Sequence, residues 1–310
     1  MKWYQLKEQA AGEKRLMLMW YLYRLSGKKI VQFVAVFVAF FAFCFSKEIK
    51  TFTYKNLKVI YEYTGNNNAK PSLFNRYRLV LNYAFSLVDR MEVFSNNFSF
   101  EKLHFEDKTG EQELISLLKR GCGVFFISSH AGNIEVLRSF INSGYFGANP
   151  HVNIFLSESQ CRIFNGFLKK IQQKTSATTF PVEQINAGTA IELKDRIDNG
   201  EIVFIAGDRV SAGSSNVTFK TKFFGKDTEF PAGTFKLAQL MEAPVYFIAA
   251  LKAADDSYKI VLKRFSGAAE CSKSQNLAKM QQEYAEFLEK TATEVPLQFY
   301  HFYDMFNEAC

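Results

Sequence analysis

The sequence predicts an α/β domain, a mainly parallel central sheet flanked by helices, behind an N-terminal membrane-anchoring helix. Three observations carry this. From about residue 70, helical and strand patterns alternate, which implies parallel strands with helices on both faces. The strand candidates are short, continuous apolar runs, as buried strands of such sheets are. The first 48 residues differ in kind, being basic, aromatic and apolar. No second shift in composition follows, so an arm, residues 1–48, precedes one domain, residues 49–310.

Within the arm, residues 30–45 are apolar except for Gln32 and Gly-free. As a helix this run is about 24 Å long, against a hydrocarbon core of about 30 Å. Before it, residues 16–25 carry Trp20, Tyr21 and Tyr23, types that favour the headgroup level. A cleaved signal peptide is disfavoured, because Phe43-Cys44-Phe45 offers no small-x-small site. Lys/Arg flank the run on both sides, including Lys2, Lys7, Lys28 and Lys29 before it and Lys47 and Lys50 after it. That distribution favours a helix lying in or dipping into the cytoplasmic leaflet, over a single span or a soluble core helix.

Residues 49–70 are polar and end in Gly65-Asn66-Asn67-Asn68, which reads as a short helix and a loop. Residues 71–93 form a helix with Leu79, Leu81, Phe85, Leu87 and Val88 on its apolar side. A buried strand follows at 123–128, then a helix at 134–140, a strand at 152–156 and a helix at 158–171. A weak strand at 178–182 and a helix at 189–197 precede the strand at 202–206. Val217 to Phe223 alternates apolar and polar residues, as a half-exposed strand does. The chain continues with a helix at 232–241, strands at 245–251 and 258–261, and a helix at 277–288.

The 310 residues are 48% apolar and 22% charged, which excludes disorder and fibrous repeats. Thirty-three Phe suggest contact with something greasy. The five Cys, at 44, 122, 161, 271 and 310, include no C-x-x-C pair, so a disulfide framework is not expected. Residues 1–60 carry a net charge of +8 and the rest −1. A basic arm that is also the most apolar segment points to an anionic membrane surface rather than to nucleic acid.

Three segments could carry chemistry. The strand at 123–128 runs into Ser129-His130-Ala131-Gly132-Asn133-Ile134-Glu135, and ligands of α/β sheets bind at the carboxyl ends of strands. Gly132 would let a substrate come close. Glu135, one helical turn on, could hydrogen-bond the His130 imidazole and raise its basicity. The plainer reading is a strand-to-helix turn with His130 as a polar loop residue. Ala206-Gly207-Asp208-Arg209 also ends a strand; its plainer reading is a surface ion pair. Phe223-Phe224-Gly225-Lys226 leads to Phe230-Pro231-Ala232-Gly233. Pro231 and Gly233 at a helix start could offer backbone N–H groups to an anion, or simply begin a helix. His104, His151 and His301 stand at no metal-ligand spacing to His130, and there is no G-x-S-x-G elbow or P-loop.

Taken in order, the H-x-x-x-x-E of His130 and Glu135, Gly207-Asp208-Arg209, and Phe223-Phe224-Gly225 leading to Phe230-Pro231-Ala232-Gly233 resemble the lysophospholipid acyltransferase superfamily. Leu237-Ala238, Ala243-Pro244-Val245 and the aromatic segment 296–304 extend the likeness, which is closest to the lipid A lauroyl/myristoyl acyltransferase branch. The resemblance implies a glycerol-3-phosphate acyltransferase-like fold on the cytoplasmic face of a bacterial inner membrane. It implies transfer of a fatty acyl group from acyl carrier protein or coenzyme A to a hydroxyl of a membrane lipid. His130 would be the general base and Glu135 its orienting acid. Arg162, Arg209 or backbone near Gly225 or Gly233 would stabilise the oxyanion, with Asp208, Pro231 and Gly132 shaping the substrate site. No metal and no cofactor beyond the thioester is expected, and a monomer is favoured. A membrane-anchored lipid-binding or scaffold protein without turnover is the alternative. Asp208-Arg209 stands where the lipid A branch tends to have Asp-Gln, and His301-Phe302 where an aromatic-His-Arg pattern is typical, so the acceptor is left open.

Overall fold

A computed structural model describes residues 12–95, 97–141, 150–171, 177–210, 218–267 and 272–306. Lys2, Lys7, Val217, Cys271 and Cys310 lie outside them. The chain opens with three helices, α1 (Glu13–Phe45), α2 (Lys47–Thr64) and α3 (Leu73–Phe94). There follow β1 (Leu103–Phe105), α4 (Lys108–Lys119), β2 (Val124–Gly132), α5 (Ile134–Ile141), β3 (Val152–Leu156) and α6 (Glu158–Lys170). Then come β4 (Ala177–Pro181), α7 (Ala187–Asp198), β5 (Ile202–Ala206), β6 (Thr218–Phe223), β7 (Lys226–Pro231) and α8 (Ala232–Met241). The last elements are β8 (Val245–Lys252), β9 (Tyr258–Arg264) and α9 (Lys273–Glu294).

Seven strands form one sheet in the order β1-β9-β8-β2-β5-β3-β4, and every pairing is parallel except β8 with β9. The expected mainly parallel sheet is therefore present. Its central strand, β2, is apolar on both faces, because helices cover both. Val124 and Phe126 pack into a cluster with α3 and α4, to which α1 adds Leu16, Tyr23 and Val31. Phe125 and Ile127 face the opposite cluster, built with α7, α8 and α9. Side-chain caps set where the helices begin: Asp107 for α4, Ser157 for α6, Asn186 for α7, and a capping box of Ser272 and Gln275 for α9.

Three segments depart from expectation. Residues 47–64 form one 18-residue helix, started by the Ser46 cap and stopped by Gly65 at φ 66°. Its polar composition hides a single buried stripe containing Phe52, Leu57, Val59 and Ile60. Lys226–Pro231, given no strand from sequence, is a strand in an antiparallel hairpin with β6. Neither β1 nor α4 was expected.

α1 is one helix of 33 residues, broken at Gly27 (φ 76°, ψ 175°), and it is long and apolar enough to cross a membrane. Both halves lie against the body. The first meets α6, where Lys170 pairs with Glu13 at 2.5 Å. The second runs along α3, where Tyr77 Oη donates to the Val36 carbonyl at 3.2 Å and packs against the rings of Phe40 and Phe43. At the kink, Lys28 Nζ reaches Asp89 at 3.0 Å, Glu92 at 2.7 Å and Asp256 at 2.6 Å.

Candidate active site

β2 carries the site because its carboxyl end leaves the regular ladder. Its pairing with β8 is in register up to Ser128↔Ile248 and resumes at Gly132↔Ala250, so Ser129, His130 and Ala131 bulge out. Gly132 makes the return possible: its φ is +75°, and a Cβ there would stand 1.9 Å from the Ala250 carbonyl oxygen. The bulge is held from the other side by the C-terminal segment. Tyr300 N donates to the His130 carbonyl at 3.1 Å, and Ala131 bridges to Phe299.

The carboxylate that meets His130 is Asp208, just beyond β5. Asp208 Oδ1 lies 2.8 Å from His130 Nδ1, and Asp208 Oδ2 accepts the His130 backbone N–H at 2.6 Å. Backbone and ring are thus gripped by one buried side chain. The hydrogen bond expected between His130 and Glu135 is not the one the fold makes. Glu135 is buried in the first turn of α5, with its carboxylate 3.7 Å from Arg90 Nε. Its backbone N–H is capped by Asn133, whose amide also donates to the Ser86 carbonyl and to Tyr258 Oη. The physical reason is α5 itself: once Asn133 starts the helix, residue 135 follows the helical path towards α3, away from the bulge.

Behind Asp208 stands His301, fully buried. Its Nε2 is 3.1 Å from Asp208 Oδ2 at an angle that makes no hydrogen bond, and its ring stacks on Phe299 at 4.0 Å. Tyr303 Oη donates to the Asp208 carbonyl at 3.2 Å. Arg209 Nη2 donates to the Tyr300 carbonyl at 2.6 Å.

These contacts set the protonation states. Burial alone would raise the Asp208 carboxyl, but the charge and hydrogen bond of His130, with His301 behind, hold it well below the usual carboxylate range. Burial pushes the His130 imidazole down and the Arg209 charge pushes it further, against the pull of Asp208. Burial likewise lowers His301, to about 4. At neutral pH the group is a neutral His130 with its proton on Nδ1, facing an ionised Asp208. His130 Nε2 makes no hydrogen bond among the described residues, and the side chain keeps 32% exposure. That leaves an accessible lone pair, aligned from behind, of the kind a general base needs.

The remaining expected residues are placed as follows. Pro231 and Gly233 stand at the start of α8, where Thr234 Oγ1 reaches the Ala206 carbonyl at the end of β5. Among the described residues, no side chain caps α8 and no atom crowds the position a Gly233 side chain would take. Gly225 turns the β6–β7 hairpin with Phe224, at φ 70° and 49°, against Tyr63. Its glycine is thus accounted for by the turn, and no contact joins it to His130. Arg162 is exposed on α6. Among the described residues, no group of three or more His, Cys, Asp or Glu is arranged to hold a metal ion.

Sequence reading missed Asn133, although an Asn just before a helix is a readable cap signal. It also missed Tyr300, His301 and Tyr303 as supports of the site: the segment 296–304 enters the resemblance, but nothing in it says which strand end it packs on.

Residues 15–308 match the family described as bacterial lipid A biosynthesis acyltransferase. The chain belongs to this bacterial lipid A biosynthesis acyltransferase family. The match runs from α1 through the segment that carries Tyr300, His301 and Tyr303, so the His130 site lies inside the family's own span. As a member, the chain is an acyltransferase acting on lipid. No curated protein matches it closely enough to serve as a relative.

Proposed function

We propose that the chain is a membrane-associated O-acyltransferase, moving a fatty acyl group from an acyl thioester to a hydroxyl of a lipid or glycolipid at the cytoplasmic face of the bacterial inner membrane. The observation that carries this reading is the Asp208-held His130 at the carboxyl edge of the sheet, its Nε2 making no hydrogen bond among the described residues. His130 Nε2 accepts the acceptor's hydroxyl proton as the oxygen attacks the thioester carbonyl. Asp208 stabilises the imidazolium that forms. The tetrahedral intermediate collapses with cleavage of the C–S bond, and His130 returns the proton to the departing thiolate. No enzyme-bound acyl group is needed, because the thioester is already activated.

The developing oxyanion needs donors. The first-turn N–H groups of α8, beside Gly233, carry no side-chain cap among the described residues and stand at the same sheet edge as Asp208. Arg209 contributes positive charge nearby. Glu135, 3.7 Å from Arg90 of α3, holds the start of α5 rather than His130. The thioester is carried on acyl carrier protein or coenzyme A, the only cosubstrate, and the protein acts as a monomer.

The test is turnover of labelled acyl thioester with membrane lipids, comparing the wild-type chain with His130→Ala. Loss of about 10²–10⁴-fold, with an unchanged thermal midpoint, is the expected result. Equal turnover in both proteins removes His130 from the reaction. No turnover in either makes the chain a lipid-binding relative. Mass spectrometry of lipids from a deletion strain would identify the acceptor.

A further inference from the structure

The apolar run of α1 does not stand free of the body. Its buried side, Val31, Ala39 and Phe43, is a single stripe along α3. Lys28 at one end and the Tyr77 bond to Val36 towards the other pin it lengthwise. A helix crossing a bilayer in this state would draw α3 in with it, including Asn75, Arg76, Arg78, Asn82 and Arg90. Ionised side chains at that depth are costly. The opposite side of α1 is open, with Phe33 64%, Phe41 55% and Phe45 80% exposed.

The body continues that open side. Leu73 and Phe74, the first two residues of α3, are each 68% exposed and belong to no core cluster. They lie one turn before Tyr77, which packs on Phe40 and Phe43. The guanidinium of Arg78 lies over the Phe74 ring at 5.5 Å. Arg76 lies over the Phe43 ring at 5.5 Å and Lys50 Nζ donates to the Cys44 carbonyl at 3.0 Å, so with Arg78 the rim of the patch is positive. Large apolar side chains inside a basic rim suit an anionic lipid leaflet.

We infer that the outer face of α1 and the Leu73–Phe74 corner of α3 form one surface seated in an anionic phospholipid leaflet, with α1 lying in the plane of the membrane. This deepens the membrane attachment proposed above and is independent of acyl transfer. In-plane seating puts Phe33, Phe45 and Phe74 at similar depth, about 5–10 Å into the headgroup–acyl boundary. Crossing would separate Phe33 and Phe45 by about 18 Å along the helix axis.

The test uses the full chain in phosphatidylcholine–phosphatidylglycerol vesicles, with lipids brominated at different acyl positions. Single Phe33→Trp, Phe45→Trp and Phe74→Trp variants are compared with wild type for added emission. Leu240→Trp, at an exposed position of α8 on the other face of the sheet, is the control. All four positions are exposed, so folding is preserved. The three test positions should lose about half their added emission or more, with the same depth profile, while the control loses none. Unequal depths at 33 and 45 overturn in-plane seating. Emission at 74 that is unquenched, even if blue-shifted by contact with a second copy of the chain, overturns the body's share. Because emission and not turnover is read, either failure leaves the acyl-transfer proposal standing.

Discussion

His130 works as a base only while its Nδ1 proton is held, and the residue that holds it lies 78 positions further along the chain. This explains what was legible locally. His130 could be singled out from its place at a strand end, and Asp208 from the same argument. Their partnership could not, because sequence proximity favoured Glu135 and the strand order that sets β5 beside β2 is not written in either segment. The pairing has a measurable signature. With burial and Arg209 pushing His130 below its ordinary value of 6.5, the base is already free at neutral pH. The rate should therefore rise with pH and level off below neutrality. Asp208 pulls the other way, raising the affinity of His130 for a proton. Asp208→Asn removes that pull, so the acid limb of the kcat/KM profile should move to lower pH while kcat falls about 10²–10⁴-fold. An unmoved limb with reduced kcat would mean that Asp208 only supports the loop.

The elements found most easily from sequence were those with one simple pattern: the apolar strands β2, β3, β5 and β8, and the helices α6 to α8. Those missed had weak or borrowed signals. β1 is three residues long and takes its order from β9. The β6–β7 turn uses Phe224-Gly225, with Phe where a small or polar residue usually accepts positive φ. The bulge at the end of β2 depends on a glycine whose replacement has no room to relax, since the obstacle is backbone. Gly132→Ala should therefore destabilise the fold by several kcal/mol, or displace the β2 end from β8. Thermal melting together with turnover checks this; a variant that melts and works like wild type would show that β8 gives way freely.

Across the whole molecule, the arm and the body are tied by charge as well as by apolar packing. Asp89, with no exposed side chain, sits between Lys28 of α1 and Lys252 of β8, at 3.0 and 2.5 Å, and accepts from Tyr258 Oη. Burial works against the Lys28 charge, but Asp89, Asp256 and Glu92 hold its pKa above the ordinary lysine value. The same lysines keep Asp256 down at about 2. Lys28→Met keeps the stem and deletes the charge. It should cost about 1–3 kcal/mol, less than a full buried-pair loss because Lys252 remains, and should make α1 easier for protease to cut. A melting temperature and cleavage rate equal to wild type would mean that the Lys28 charge adds nothing to the attachment. Removing the arm outright would bare the surfaces that Leu16, Tyr23 and Val31 cover.

The grip on His130 also has an order in time. Asp208 is synthesised after His130, and Tyr300, whose N–H fastens the His130 carbonyl, more than ninety residues later still. In a nascent chain α1 emerges before every strand of the sheet. The helix that would seat it on lipid is therefore in place long before the third piece of the site exists. A chain arrested between the end of α1 and residue 300 would carry the lipid-facing helix without the full grip on His130.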